Sequence, residues 1–421
     1  MLVHLTPAPL RGSIAAPPSK SMSHRAVLCA ALCRGNSMIS GLGKSRDIEA
    51  TLDAIKQLCG TVSETKDGIN IFGRGGFCTI TRPVDCGESG STLRFLIPLF
   101  SLTQQKIQFV GGGRLFARPQ TIYEKLFHAQ GLLFEQDESG ITISGALQAG
   151  EYSVPGNVSS QFISGLLFMM PLLDHESSLT ITGNFESASY VELTLATLRD
   201  FGITIKRPRY NQFIIPGKQN YIPCPYTVEG DYSQAAFLAV LGALVGDITV
   251  TNLRPDTKQG DAAILDILAR CGAQFTRNGN DVTFAKSALT ATEIDLADCP
   301  DLGPVLTVLG ACCEGVTTIK NAGRLRIKES DRIFAMESEL RKFGVDITST
   351  EDTITITGGA LQTPTEPLAA HNDHRVVMSL AVLALGKGIA VDLTDAQAVA
   401  KSWPTFFIDL ATLGADVSAN A

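Results

Sequence analysis

One arrangement of apolar and polar positions recurs along the chain. In each copy an amphipathic helix is predicted to end at a glycine, and alternating β-branched and polar residues then predict a two-stranded hairpin. The third copy, for example, reads FGITIKRPRYNQFIIPG. The helix-ending glycines follow one another at intervals of 70 to 72 residues: Gly60, Gly131, Gly202, Gly272, Gly344 and Gly414. A fixed period of this kind predicts a repeat architecture.

A second predicted helix recurs with the same period and is apolar on every side, which is typical of a buried helix. Its predicted starts lie near Ser23, Ser91, Ser160, Ser233, Pro304 and Arg375. Because repeated units share one orientation, we expect the N-termini of these helices to meet at one end of each domain. The repeats divide into two α/β domains of three, residues 13–228 and residues 1–12 with 229–421, and CPYTVEGDYSQ (224–234) is the expected crossover.

The composition narrows the possible partners. The 421 residues are 44% hydrophobic and 18% charged, as in a globular protein of two or more domains. A net charge of −7 argues against a nucleic-acid partner. The longest apolar runs are shorter than the roughly 20 residues that span a bilayer, so no membrane partner is expected. The ten cysteines lack zinc-ligand spacing, and the first residues lack a secretory pattern, so we expect reduced thiols and a cytoplasmic location.

Basic residues recur where the repeat predicts the starts of helices or nearby loops. The stretch PPSKSMSHRA (17–26), for example, places charge and hydroxyl groups before an apolar helix. A helix N-terminus carries unpaired N–H groups and a partial positive charge, so converging N-termini lined by cations predict a site for a small anion. For each cation alone, a solvated surface charge is the plainer interpretation. The recurring cations are Lys20, Arg25, Arg94, Arg118, Lys328, Arg332, Arg375 and Lys401.

Several other residues admit two interpretations. Ser159, Ser160 and Gln161 open an apolar helix, where N-capping and phosphate binding are about equally plausible. The turn GGGR (111–114) fits a tight turn as well as it fits a phosphate cradle, because it lacks the spacing of a nucleotide-binding loop.

Histidines and carboxylates add candidate chemistry. His371 and His374 stand three residues apart, but the sequence suggests no third metal ligand, so we expect capping or hydrogen bonding there. Glu329 and Asp301 are the acid and base candidates. Their plainer roles are a surface ion pair for Glu329 and a helix N-cap for Asp301.

Segments spread from Pro18 to Phe407 resemble the signature segments of the 5-enolpyruvylshikimate-3-phosphate (EPSP) synthase family. They are PSKSMSHRA, ESGSTLR, ARP, NVSSQFISGLL, IKESDRI, NDHR and AKSWP. The resemblance implies a two-domain inside-out α/β barrel, with three repeats per domain and helix N-termini facing the interdomain cleft. It also implies transfer of the carboxyvinyl group of phosphoenolpyruvate to the 5-hydroxyl of shikimate 3-phosphate, with release of phosphate. Neither metal nor cofactor is expected, and the chain is expected to act as a monomer.

The same resemblance implies roles for individual residues. Asp301 matches the proton acceptor for the attacking hydroxyl, Glu329 matches the proton donor to the methylene carbon, and Lys20 is a third catalytic candidate. The residues that match shikimate 3-phosphate contacts, a role mainly of the 13–228 domain, are Lys20, Ser21, Arg25, Ser159, Ser160, Gln161, Ser187, Asp301 and Lys328. The residues that match phosphoenolpyruvate contacts are Lys20, Gly90, Arg118, Gln161, Arg332, Arg375 and Lys401.

The sequence departs from the family pattern at one position, and two other classes of protein are rival interpretations of its function. Arg324 stands where some members carry an asparagine that contacts substrate phosphate, so it is left out of the predicted site. Gly90 matches a position where members insensitive to glyphosate can carry alanine, and we expect glyphosate to compete with phosphoenolpyruvate. The UDP-N-acetylglucosamine enolpyruvyl transferases are the nearest rival, but Gly113 stands where they typically carry a loop cysteine. A non-catalytic repeat protein is the other rival, and the carboxylates Asp301 and Glu329 count against it.

Overall fold

The computed structural model describes residues 1–420, which divide into two compact units. The middle unit is Pro18–Val228, and the terminal unit combines Met1–Pro17 with the chain from Glu229 onward. Each unit has its own cluster of buried apolar side chains. Within residues 1–420, the helices are too short or too polar to be candidates for a membrane span.

The helices alternate with short strands throughout the chain. The α-helices are α1 (Lys20–Leu32), α2 (Arg46–Leu58), α3 (Gly90–Ser101), α4 (Thr121–Ala129), α5 (Ser160–Met169), α6 (Ala188–Asp200), α7 (Tyr232–Val245), α8 (Ala263–Arg270), α9 (Gly303–Cys312), α10 (Arg332–Lys342), α11 (His374–Lys387) and α12 (Phe406–Thr412). Short 3-10 segments cover Met170–Leu172, Gly260–Ala262, Pro300–Leu302, Gly323–Ile327 and Ala396–Lys401.

The strands are mostly four to seven residues long. They are β1 (Leu2–Thr6), β2 (Gly12–Ala15), β3 (Arg34–Ser40), β4 (Gly60–Thr65), β5 (Gly68–Arg74), β6 (Val84–Asp85), β7 (Ile107–Val110), β8 (Leu133–Asp137), β9 (Gly140–Ser144), β10 (Glu151–Pro155), β11 (Ser177–Thr182), β12 (Lys206–Arg209), β13 (Gln212–Ile215), β14 (Tyr226–Thr227), β15 (Ile248–Thr251), β16 (Gln274–Asn278), β17 (Asp281–Ala285), β18 (Glu293–Asp295), β19 (Val316–Lys320), β20 (Asp346–Ser349), β21 (Ile354–Thr357), β22 (Leu368–Ala369), β23 (Val391–Thr394) and β24 (Asp416–Asn420).

Residues 1–420 form six sheets of four strands, three in each unit. The strand orders in the middle unit are β14-β3-β5-β4, β6-β7-β9-β8 and β10-β11-β13-β12. Those in the terminal unit are β16-β17-β15-β2, β18-β19-β21-β20 and β22-β23-β1-β24. In each sheet one edge strand pairs in parallel with its neighbour and the remaining pairings are antiparallel, so the repeat predicted from the glycine period is present in all six copies.

Where the chain passes from one unit to the other, two edge strands pair with sheets that are distant from them in the sequence. Strand β2 precedes α1 in the sequence, but it pairs in parallel with β15 of the terminal unit. Strand β14 instead returns to complete the first sheet of the middle unit beside β3. The predicted domain boundary at residue 13 is therefore wrong for residues 13–17, because backbone pairing places them with the terminal unit.

The apolar helices predicted from the sequence are α1, α3, α5, α7, α9 and α11. All are almost entirely buried, and α3 packs on α5 while α11 packs on both α7 and α9. Most begin at a side chain that accepts a hydrogen bond from the first turn, as expected at helix N-termini. The capping residues are Ser19, Ser89, Ser159, Asp231 and Asp373.

Candidate active site

The terminal unit gathers cationic side chains around the carboxylate of Asp301. Asp301 lies in the 3-10 turn that leads into α9, and its side chain is 21% exposed. It accepts hydrogen bonds from Lys328 Nζ at 3.4 Å, Arg332 Nη1 at 3.3 Å and Arg375 Nη2 at 2.9 Å. Burial opposes ionisation, but Arg375, Lys328 and Arg332 outweigh it and hold the pKa of Asp301 well below its usual range. Asp301 is therefore a carboxylate at neutral pH.

Arg332 connects Asp301 to further carboxylates. It is the first residue of α10 and is 1% exposed. Its Nη2 donates to Glu329 Oε2 at 2.8 Å, and its Nε donates to Asp373 Oδ2 at 2.9 Å. Burial opposes the charge on Arg332, but Asp373, Glu329 and Asp301 raise its pKa above the ordinary arginine value. The guanidinium thus fixes the positions of acids on separate segments of the chain.

Arg375 brings the starts of the buried helices together. It lies in the first turn of α11, and its Nη2 donates to Ser233 Oγ at 2.9 Å and to Asp301. The Ser233 hydroxyl donates in turn to Asp231 Oδ1, the N-cap of α7, at 2.6 Å. The N-termini of α7, α9 and α11 therefore meet at one end of the terminal unit, as the repeat predicts.

The lysines of the terminal unit have contrasting surroundings. Burial lowers the pKa of Lys328, and Asp301 only partly offsets the effect. Lys401 ends a 3-10 segment, is buried, and donates from Nζ to the backbone carbonyl oxygen of Asn372. Arg324, which departs from the family pattern, donates to the carbonyl oxygen of Ala297 at 2.7 Å.

In the middle unit, Lys20 is the first residue of α1. Its Nζ lies 2.8 Å from Oδ2 of Asp47 in the first turn of α2, and the two side chains are 16% and 11% exposed. The backbone carbonyl of Asp47 also accepts from the hydroxyls of Thr51 and Thr92, at 3.3 and 3.4 Å. Asp47 therefore fixes the ammonium group of Lys20 near the N-terminus of α1.

Arg25 is buried among groups of its own unit. Its Nη1 donates to the carbonyl oxygen of Ser21 at 2.6 Å, its Nη2 to that of Tyr190 at 2.8 Å, and its Nε to Thr194 Oγ1 at 2.8 Å. The guanidinium also stacks 5.2 Å from the ring centre of Phe95. Burial lowers the pKa of Arg25 to about 10, and Tyr190 opposes that shift. These contacts tie α1 to α6 and orient Ser21.

Gly90 and Arg118 are in close contact at the start of α3. A Cβ atom at Gly90 would lie 2.7 Å from Arg118 Nη1 and 2.9 Å from its Cζ. Real Cβ atoms do not approach other heavy atoms so closely, and Arg118 is buried. The absence of a side chain at residue 90 therefore lets the Arg118 guanidinium lie against the helix N-terminus.

The amide of Gln161 is oriented from both ends. Its Oε1 accepts from Arg94 Nη1 at 2.9 Å, and its Nε2 donates to Ser91 Oγ at 2.9 Å. Arg94 is itself fixed by the carbonyl oxygen of Pro119 at 2.9 Å and by the face of Phe162 at 4.7 Å. Because Arg94 can only donate, the amide oxygen of Gln161 must point towards it.

The predicted serines occupy helix starts in the middle unit. Ser159 caps α5, since its Oγ accepts from the backbone N–H of Gln161 at 3.3 Å, and Ser160 is the first residue of that helix. Ser187 precedes α6 with a φ of 53°, in the left-handed region. The capping role is thus present for Ser159.

Five predicted site residues of the terminal unit form one connected network: Asp301, Lys328, Glu329, Arg332 and Arg375. Lys401 contacts the backbone of Asn372 beside it. Asp373 is the member of the network that sequence reasoning missed. It is 0% exposed, accepts from Ser330 Oγ at 3.0 Å, and caps α11 through the N–H of Arg375 at 2.9 Å. Its place in NDHR, directly before an apolar helix, was a usable signal. Asp47 and Arg94 were also missed as partners of Lys20 and Gln161, and nothing in the local pattern pairs them.

Known proteins match nearly the whole chain. The family model described as EPSP synthase (3-phosphoshikimate 1-carboxyvinyltransferase) matches residues 5–410. The 3-phosphoshikimate 1-carboxyvinyltransferase of Clostridium perfringens strain SM101 is 42% identical over 415 residues, which cover 98% of each chain. The protein of the same name from Clostridioides difficile strain 630 is 42% identical over 421 residues, covering 97% of this chain and 96% of its own.

Solved structures agree with the fold. The EPSP synthase of Acinetobacter baumannii has a TM-score of 0.80 at 26% identity and covers 99% of this chain and 100% of its own. The enolpyruvyl transferase NikO from Streptomyces tendae has a TM-score of 0.81 and covers 99% of this chain and 98% of its own. At 17% identity, NikO supports the fold alone.

Proposed function

The chain belongs to the EPSP synthase family, and we propose that it uses the side-chain clusters described above to join phosphoenolpyruvate to shikimate 3-phosphate. It transfers the carboxyvinyl group to the 5-hydroxyl of shikimate 3-phosphate and releases phosphate. One observation supports the residue assignments: the Asp301 carboxylate accepts hydrogen bonds from Lys328, Arg332 and Arg375. Glu329 accepts a hydrogen bond from Arg332 as well. Proton transfer beside bound anions needs this combination of acids and cations.

The reaction consists of an addition followed by an elimination. The 5-hydroxyl oxygen bonds to C2 of phosphoenolpyruvate while the methylene carbon takes up a proton and becomes a methyl group. The methyl group then loses a proton, the carbon–carbon double bond forms again, and phosphate leaves. We assign the first proton to Glu329 and the removal of the hydroxyl proton to Asp301. Both substrates are anionic, so the chemistry requires cations without requiring a metal ion.

The depressed pKa of Asp301 bears on this assignment. A carboxylate stabilised by Lys328, Arg332 and Arg375 is ionised, but it is a weak base. Substrate phosphate and carboxylate groups would take over part of the hydrogen bonding of these cations. That exchange would raise the basicity of Asp301 only when substrate is bound, which would restrict proton transfer to the loaded enzyme.

The substrate contacts are assigned by matched position. For shikimate 3-phosphate we propose Lys20, Ser21, Arg25, Ser159, Ser160, Gln161, Ser187, Asp301 and Lys328, and for phosphoenolpyruvate Lys20, Gly90, Arg118, Gln161, Arg332, Arg375 and Lys401. Their abundance of N–H and O–H donors supports the assignment, since bidentate arginine suits carboxylate and phosphate alike. Gln161, held by Arg94 and Ser91, is oriented before substrate arrives, and the Arg118 guanidinium lies against Gly90.

The direct test is phosphate release from purified protein, with each substrate omitted in turn. Release that requires both shikimate 3-phosphate and phosphoenolpyruvate is expected. UDP-N-acetylglucosamine in place of shikimate 3-phosphate should give none, because Gly113 stands where the nucleotide-sugar enzymes typically carry a cysteine. Release with the nucleotide sugar alone as acceptor would contradict the proposal.

A further inference from the structure

The segment before α11 has an unusual backbone. His371 and Asn372 are consecutive residues with φ of 52°, and neither is glycine. The left-handed region is sparsely populated by residues that carry a Cβ, so two in succession persist only where surrounding contacts hold them. Asp373, the buried N-cap of α11, follows directly.

Contacts with α10 hold this segment on both sides of Asn372. On one side, His371 Nε2 lies 3.0 Å from Glu339 Oε1. On the other, Asp373 Oδ2 accepts from Arg332 Nε at 2.9 Å. Because Arg332 and Glu339 both belong to α10, the helix supports the left-handed turn before and after its central residue.

Glu339 is a rigid anchor for the histidine. Its side chain is 3% exposed and also accepts from the backbone N–H of Ala369 at 2.9 Å and lies 2.8 Å from Lys342 Nζ. Burial opposes its ionisation, but the hydrogen bonds from His371, Lys342 and Ala369 outweigh it and lower the pKa of Glu339. A carboxylate has no proton to give, so Nε2 of His371 is the donor. The imidazole also packs edge-to-face on Phe334, with ring centres 6.2 Å apart.

The left-handed turn places the backbone carbonyl of Asn372 beside Lys401, a predicted site residue. The carbonyl oxygen of Asn372 accepts a hydrogen bond from Nζ of Lys401, which is buried. We propose that His371 is a positioning residue: its hydrogen bond to Glu339 fixes this carbonyl and so places the Lys401 ammonium group for phosphoenolpyruvate. The inference rests on the proposed function, in which Lys401 binds that substrate.

The test compares His371→Leu with His371→Gln. Leucine removes the donor while keeping an apolar body against Phe334, whereas glutamine retains an N–H donor that can reach Glu339. We expect His371→Leu to raise the KM for phosphoenolpyruvate about tenfold, the effect of one lost hydrogen bond to a charged group, with the KM for shikimate 3-phosphate changed less than about twofold. His371→Gln should stay within about threefold of the parent enzyme for both substrates.

His4→Leu is the matched control, because it breaks another histidine–carboxylate pair of the terminal unit, His4 with Asp392 at 2.6 Å. It should leave both KM values unchanged. Thermal unfolding of all variants separates lost stability from a changed KM. Equal KM changes for both substrates in His371→Leu, or a His371→Gln variant as impaired as His371→Leu, would overturn the inference.

Lys401→Met distinguishes this inference from the proposed function. If it leaves the KM for phosphoenolpyruvate unchanged, the assignment of Lys401 is wrong, and the role of His371 falls with it. If Lys401→Met raises that KM and His371→Leu does not, only the role of His371 is wrong. In the double variant we expect no further increase beyond that of Lys401→Met, because both changes remove the same placed ammonium group. Multiplicative effects would contradict the proposal.

Discussion

The middle and terminal units are built from the same repeat, yet their buried arginines have different partners. In the middle unit, Arg25 and Arg94 donate to hydroxyl, backbone carbonyl and amide oxygens. In the terminal unit, Arg332 donates to the carboxylates of Asp301 and Asp373. The helix caps differ in the same way, since those of the middle unit are serines and the terminal unit has aspartates at α7 and α11.

This difference shows how one fold supports two kinds of chemistry. Serine caps add no negative charge at the helix ends, so these N-termini remain favourable for binding anions. Carboxylates among cations supply groups that can accept and donate protons. We therefore propose that the middle unit supplies most of the shikimate 3-phosphate contacts and that the terminal unit supplies the carboxylates for proton transfer. The middle unit also contains a cation–carboxylate pair, Lys20–Asp47. It can be compared directly with the buried Arg332–Asp373 pair of the terminal unit.

The largest expected effect is on turnover. Glu329→Gln removes the proposed proton donor while keeping a polar side chain of the same size near Arg332, so kcat should fall about 10²–10⁴-fold. Binding of shikimate 3-phosphate, measured by calorimetry, should change little. Glu192→Gln in the middle unit, where the glutamate pairs with Arg207, is the control and should retain full activity. Full turnover in Glu329→Gln would show that another group donates the proton.

The next effect is on stability and compares the carboxylate pairs of the two units. Asp373→Asn removes the fully buried one of three carboxylates that pair with Arg332 and should cost about 3 kcal/mol of unfolding free energy. Asp47→Asn should cost less, about 2 kcal/mol, because Lys20 can reach solvent. Urea denaturation of both variants measures the difference. Equal losses would mean that the two pairs have equivalent environments.

The comparison also predicts a response to acid. Burial opposes the ionisation of Asp301, Asp373 and Glu339, but neighbouring cations and donors outweigh it and lower all three pKa values. The unfolded chain then binds more protons, so the stabilisation is complete above about pH 5 and is lost as the pH falls through the lowered pKa values. In the middle unit burial instead raises the pKa of Asp200, against the effect of Arg199.

We therefore expect acid to weaken the terminal unit first. Hydrogen exchange measured between pH 5 and pH 3 should show protection lost in α9 and α11 before α3 and α5. Simultaneous loss in both units, or earlier loss in α3 and α5, would contradict the assignment of the buried carboxylates as the acid-sensitive groups.

The smallest expected effect concerns phosphoenolpyruvate alone. Gly90→Ala places a methyl group 2.7 Å from Arg118 Nη1, so the guanidinium must shift. The KM for phosphoenolpyruvate should rise about tenfold, which corresponds to about 1.4 kcal/mol. Glyphosate should compete with phosphoenolpyruvate in the parent enzyme and inhibit the variant less. Gly112→Ala is the control, since a Cβ there meets only Glu88 Cγ at 3.9 Å. An unchanged KM and unchanged inhibition in Gly90→Ala would show that the close contact between Gly90 and Arg118 does not affect phosphoenolpyruvate binding.

Local patterns predicted much of the fold and of the candidate site. The glycine period predicts all six copies of the repeat, because a helix end is determined by nearby residues. In the sixth copy, however, β24 pairs with β1 from the start of the chain and not in a local hairpin. Ser159, which precedes α5, predicts its own capping role for the same reason. The pairing of β2 with β15, which moves residues 13–17 to the terminal unit, was beyond such reasoning, because strand pairing depends on residues far apart in the sequence.

The sequence by itself determined the repeat, which follows from the spacing of the glycines, and the family, which its signature segments resemble. Only the tertiary structure decided which charges are neutralised. Arg332 and Arg94 are both arginines near the starts of buried or half-buried helices, yet one faces Asp373 and the other faces Gln161. That choice depends on which helices pack together, and burial then gives each contact its strength, since a charge removed from water is stabilised only by the partners that the fold supplies.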